Sequence, residues 1–242
     1  MRPDLPALQE IWVYLGGSPL LALVLTLAAY AIGLQFYERS LRHPLANPVL
    51  VAVLLVAGAI TVLDMPYARY FEGAQFVHFL LGTATVALAI PIHQGWASLR
   101  GRTRALLLAL LAGGASSVLS ALAVARLLGV DLQLTQGLWA KSVTAPIAMG
   151  VAERIGASPT LTAVYAVSTG ILGAMLGRFV LDALGLKAWW QRGFALGVAA
   201  HGIGTSRAFS VHPQAGAYAS LGMGLHGVIG AVLLPWAVRL AG

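Results

Sequence analysis

Two short stretches of this chain set polar side chains inside sequence that is otherwise almost wholly apolar. The first, from Ala140 to Ala157, carries Lys141, Ser142, Thr144 and Pro146, followed by Glu153 and Arg154. The second is His201-Gly202-Ile203-Gly204-Thr205-Ser206-Arg207. Backbone that leaves helical geometry at membrane depth survives only where protein or a watery cavity lines it. The N–H groups at the start of a half-helix, at its positive dipole end, form a natural seat for a carboxylate. Lys141 would add a formal positive charge there, beside the hydroxyls of Ser142 and Thr144 and the break at Pro146. In the second stretch Gly202 and Gly204 permit close backbone approach. A histidine such as His201 can titrate near neutrality, and Arg207 can grip a carboxylate bidentately. The expected substrate-binding set is therefore Lys141, Ser142, Thr144, Pro146, His201, Gly202, Gly204, Thr205 and Arg207. Glu153 and His201 are the candidates for ion coupling.

Plainer readings stand beside these. Lys141 can snorkel to an interface while the hydroxyls bond back to their own helix. Glu153 and Arg154 can form an interfacial charge pair, and a histidine on an apolar face is commonly just hydrogen-bonded. His201 has no second histidine at i+4 and no clustered carboxylates, so no metal site is expected. The chain shows no G-x-S-x-G, phosphate-loop or redox motif. Catalysis has no foothold, and no cofactor is implied.

The surrounding elements read as membrane spans. Hydrophobic residues make up 59% of the 242 positions and charged ones 10%, where a soluble domain carries about 25% charge. Several apolar runs approach the ~20 residues that cross a ~30 Å hydrocarbon core. The net charge of +7 lies mainly in the connectors, where it orients a membrane protein rather than gripping nucleic acid. The absence of cysteine excludes disulfides and thiolate metal sites. Asp4 and Glu10 precede any apolar run, unlike a cleaved signal peptide, so the first span is expected to act as its own insertion signal.

The fold expected is an all-α polytopic membrane protein of about seven to eight transmembrane segments, with discontinuous or re-entrant elements and an inverted repeat. Spans are placed at about 18–36, 47–63, 76–92, 105–130, 159–181, 194–209 and 217–238, with polar loops at 64–75 and 131–139. Asn47 to Ile60 aligns without gaps on Ser158 to Ile171, and Phe79-x-Leu81-Gly82-x-Ala84 on Phe194-x-Leu196-Gly197-x-Ala199. The chain then reads as one membrane domain: repeat one about 47–130, a re-entrant segment about 138–157, and repeat two about 158–240. Charge supports the re-entrant segment. Arg39, Arg42, Arg100, Arg102 and Arg104 should be cytoplasmic, and Lys187 and Arg192 join them only if 140–157 enters and leaves on one side.

The run KSVTAPIAMGVAERIGASPTLTAVYAVSTGILGAMLG, with FALGVAAHGIGTSRAF, NPVL and YFEGAQFVHFLLGTATVALAIPIHQ, resembles the LrgB/CidB family. The resemblance covers roughly Asn47 to Leu225. It implies a multi-pass protein of the bacterial inner (cytoplasmic) membrane. It also implies one of two activities: transport of a small monocarboxylate of the glycolate, glycerate or pyruvate type, or holin-like regulation of murein hydrolase export and autolysis. An LrgA/CidA-type membrane partner is implied for either, and a homo-oligomer is expected. The family motif maps onto Lys141, Ser142, Thr144 and Pro146, and onto His201, Gly202, Gly204, Thr205 and Arg207. Ala145 departs from it where many relatives have a second threonine. Two matched broken elements and deep positive groups favour alternating-access transport over a pore, which would need neither.

Overall fold

The computed structural model describes residues 19–87, 90, 93 and 101–241. The expectations about Asp4, Glu10 and Arg100 lie outside them. Among the described residues the chain is built of nine α-helices and one 3-10 turn. Its contacts divide it into two compact units, residues 1–84 and 85–242.

In the first unit α1 (Pro19–Arg39) turns back into α2 (Pro48–Val62). The Asn47 side chain starts α2 by accepting from the N–H groups of Val49 and Leu50, at 2.9 and 3.1 Å. Pro48 occupies the first turn, where its missing N–H costs nothing. The third helix, α3 (Tyr67–Ala87), begins well before the expected start near Phe76. The polar run Tyr67 to Gln75 is thus helical rather than a loop. Its Tyr70 hydroxyl shares a 2.7 Å hydrogen bond with Thr26 Oγ1 of α1.

The second unit carries both polar stretches. After α4 (Thr103–Leu127), the expected loop 131–139 is mostly ordered as α5 (Leu132–Gln136) and the 3-10 turn Gly137–Ala140. Asp131 caps α5 by accepting from Gln133 N–H at 2.7 Å. Four non-helical residues, Lys141 to Thr144, then lead into α6 (Ala145–Ile155), eleven residues long. Gly156 ends α6 in the left-handed region at φ 75°, a conformation only glycine adopts freely. The chain reverses into α7 (Pro159–Ala183), whose start Ser158 caps. It then continues through α8 (Trp189–Val211) and α9 (Pro213–Ala241). At the α7–α8 turn, Arg192 donates to Asp182 at 2.6 Å, and the Arg178–Asp182 pair is longer, at 3.6 Å.

The sequence reading takes 194–209 as a crossing span. The structure corrects this: α8 is a hairpin of two half-helices. His201 sits at φ 38°, ψ −129°, outside helical geometry. Beyond it the chain folds back, because a methyl on Gly204 would lie 2.6 Å from the Leu196 carbonyl oxygen. In a continuous helix those residues stand about 12 Å apart along the axis. Both ends of the hairpin accordingly lie by the start of α9. Gly193 abuts the Ala215 backbone, Ala208 packs with Ala215, and the Trp189 and His212 rings stack at 4.8 Å.

Among the described residues four helices are long and apolar enough to cross a membrane: Leu20–Arg39, Thr103–Leu127, Pro159–Ala183 and Pro213–Leu240. Pro48–Val62 is apolar but shorter. Large apolar side chains such as Leu108, Leu119, Val164 and Val232 stand exposed along these helices. A lipid-facing surface carries such side chains, because no water is there to exclude them.

Candidate functional site

The two hairpins of the second unit approach α7 from opposite ends. α6 runs back along the first part of α7, where Ala140, Val143 and Ala148 cluster with Ala166. α8 runs back along the later part, so that Gly177 faces Leu196, Gly173 faces Ala200 and Gly170 faces His201. The tips meet at Ala166, whose carbonyl oxygen lies 2.8 Å from His201 Nε2. A carbonyl can only accept, so Nε2 carries the hydrogen of this bond. The ring has this room because residue 170 is glycine; a methyl there would stand 2.6 Å from His201 Cε1.

At the first tip the Lys141 ammonium donates to Ser117 Oγ at 2.7 Å and to Ser142 Oγ at 3.3 Å. The two serine oxygens are themselves 2.6 Å apart. Counting hydrogens defines what this cluster offers. An ammonium has three N–H groups and the hydroxyls have one O–H each. Two N–H groups and one O–H are used internally. One N–H and one O–H are left to donate outward, and these two still call for an acceptor. Among the described residues no carboxylate pairs with Lys141, and the ion pairs there involve only Asp182. A cation with two spare donors and no counter-ion matches a small carboxylate, whose two oxygens accept only.

Thr144 adds a further donor. It occupies the N-cap of α6 without making a capping bond, is 9% exposed, and its Oγ1 has no hydrogen-bond partner. Leaving a buried hydroxyl unpaired costs roughly 1–3 kcal/mol. Pro146 follows at the second helical position, with φ already suited to the helix.

Ser117, from the middle of α4, escapes the sequence reading, because GGASSVLSAL passes for ordinary close-packing helix. The only signal was a hydroxyl pair beside two glycines at mid-span. His226 of α9 is the second omission, and it lies within electrostatic reach of both Lys141 and His201.

The remaining candidates fall further out. Thr205 Oγ1 points at Met223 Sδ, 3.7 Å away, and a methyl on Gly202 would lie 3.9 Å from the same sulfur. Gly204 serves the fold-back itself. Arg207 is half-buried on the returning half of α8 and lines neither cavity that borders the Lys141 cluster. Glu153 and Arg154 are exposed at the end of α6 remote from Thr144.

One of those cavities, about 530 Å³, takes in Ser117 and Lys141 and is walled by α7 and α8. The other, about 290 Å³, takes in Ser142 and is walled by α4 and α9. Among the described residues no group of three or more histidine and acidic side chains is placed to hold a metal.

The chain is 32% identical to the uncharacterized protein YxaC of Bacillus subtilis over 221 residues, 91% of this chain and 96% of that one. It is 27% identical to the holin-like protein CidB of Staphylococcus epidermidis, and 25% to that of Staphylococcus aureus, each over 91% of this chain and 96% of the relative. No solved structure matches it. The model of the LrgB-like family matches residues 26–240, and the chain belongs to that family.

Proposed function

We propose that this protein carries small monocarboxylates of the glycolate, glycerate or pyruvate type across the bacterial inner membrane by alternating access. The observation that carries the reading is the counter-ion-free donor cluster of Lys141, Ser117 and Ser142, set where two hairpin tips meet. Transporters commonly bind substrate at such discontinuous helices, with half-helix N-termini facing the anionic group. Here α6 supplies the N-terminus, with Thr144 unpaired upon it. The anion rests on the cluster, and His201 fixes the opposing tip to α7. Movement of one repeat against the other then exposes the site to each side in turn. The proposal includes the inverted repeat, passage of both hairpins only part-way through the bilayer, self-association, and an LrgA/CidA-type partner.

The staphylococcal relatives are named holin-like proteins, which favours a second reading: holin/antiholin-like regulation of murein hydrolase export and autolysis. Purified protein in vesicles separates the two. Radiolabelled glycolate, glycerate and pyruvate uptake is measured with and without the partner, alongside release of a large trapped dye. Uptake without dye release is expected, falling at least about a hundredfold in Lys141→Ala, since an ion-paired hydrogen bond in a dry site contributes about 3 kcal/mol. Arg207→Ala is run in parallel, and uptake unchanged in both variants refutes the site. Dye release with no saturable uptake supports the holin-like reading instead.

A further inference from the structure

The middle of α9 passes the point where the two tips face each other. Up to Met223 the helix packs on the α8 hairpin: Ala219 against Gly197, Gly222 against Phe194, Met223 against Thr205. From Gly227 onward it packs on the first tip and α6, with Gly227 against Ile147 and Gly230 against Val143. His226 stands at this change of partner. Its ring lies over Gly114 of α4, where a methyl would be 2.8 Å from Cε1 and 3.4 Å from Nδ1. Three residues further along α4 is Ser117, the hydroxyl that accepts from Lys141.

The same ring lines the 290 Å³ cavity that Ser142 borders. Apart from Ser142 and the Trp139 indole, the other side chains around that space are apolar. Among the described residues no hydrogen bond or ion pair holds the His226 ring. An imidazole kept off other protein groups, facing a cavity that a donor cluster borders, is placed for a ligand. The charged or titratable groups within its electrostatic reach are Lys141 from the first tip and His201 from the second. Among the described residues no acid offsets them.

We propose that His226 contacts the transported anion, donating to it from α9 across the cavity that Ser142, the cluster member bonded to both Lys141 and Ser117, borders. The inference rests on the carboxylate-site reading above. It makes the site a junction of α4, the first tip and α9. It also gives Gly114 a function: that residue has no side chain so that the ring can lie where it does.

Binding of radiolabelled glycolate to the purified full-length protein in nanodiscs tests this, with thermal unfolding as the check on folding. His226→Ala should weaken binding by on the order of tenfold, the effect of losing one hydrogen bond to a charged group. His226→Gln, which keeps a donor, should recover most of that loss; a merely space-filling ring would not be rescued this way. Gly114→Ala, which displaces the ring, should weaken binding with His226 intact. Combining it with His226→Ala should add nothing, as expected of two changes to one contact. Normal binding in His226→Ala beside lost binding in Lys141→Ala overturns this inference and leaves the carboxylate site standing. Normal binding in Lys141→Ala, or none by the unaltered protein for glycolate, glycerate and pyruvate, overturns both.

Discussion

The polar cluster at the first tip is built of hydroxyls as much as of the Lys141 ammonium. Ser117 and Ser142 leave the Lys141 ammonium solvated by protein while keeping a donor free. Thr144 is the clearest case of a group whose cost has no structural return. Its unpaired Oγ1 makes a specific expectation: Thr144→Val, nearly equal in shape, should raise stability by about 1 kcal/mol. Carboxylate uptake should fall severalfold in the same variant. A thermal unfolding curve in detergent beside an uptake assay checks the opposing signs, and a loss of stability would show the hydroxyl to be structural. Lys141, Ser142 and Thr144 were legible in the sequence because a charge and two hydroxyls stand out against apolar neighbours. Ser117 and His226 were not. His226 sits singly and Ser117 beside another serine, each within a long apolar helix, and only the packing of distant segments brings them near Lys141.

Among the elements, the two hairpins behave differently in sequence. The first announces itself, since Lys141, Thr144, Pro146 and Gly156 mark a tip and an exit. The second reads as a crossing span with an unusually polar break, because one residue, His201, makes the reversal and both flanking halves keep helical composition. The opposite error arose at Asp131 to Trp139 and Tyr67 to Gln75, where polar composition suggested loops. Caps and neighbouring helices make those segments helical. What holds the α8 hairpin is backbone contact with α9. Gly193 and Gly197, four residues apart, face the backbones of Ala215 and Ala219, the small-residue arrangement that lets membrane helices touch. Gly197→Val should therefore force the pair apart and cost about 1–3 kcal/mol. A lowered thermal midpoint is expected, with Gly197→Ala intermediate. A midpoint equal to that of the unaltered protein would contradict the packing described.

For the whole molecule, membrane character and an all-helical fold follow directly from composition. The number of crossings does not, because an apolar run of crossing length can be two half-helices. The arrangement around α7 makes the topology testable. Residues flanking the start of α7 and those flanking both ends of the α8 hairpin lie at opposite ends of that helix. The chain has no cysteine of its own, so single cysteines report cleanly. Arg154→Cys should react with an impermeant thiol reagent from one side of the membrane, and Ala188→Cys and Gln214→Cys from the other. These positions avoid Gly156, whose left-handed backbone would strain any replacement. Labelling of Ala188→Cys and Gln214→Cys from different sides would mean that α8 crosses after all.

The meeting of two hairpin tips at Ala166 has an electrical consequence for the transport reading. Where watery vestibules reach both tips, the membrane voltage falls across the short septum between them rather than across the whole bilayer. A carboxylate handed over at Lys141 then crosses most of the potential in one small step, at about 2.3 kcal/mol per charge per 100 mV. With the cell interior negative, inward passage of the bare anion runs against that field. Accumulation requires a cation, a proton included, to make the same short crossing with it.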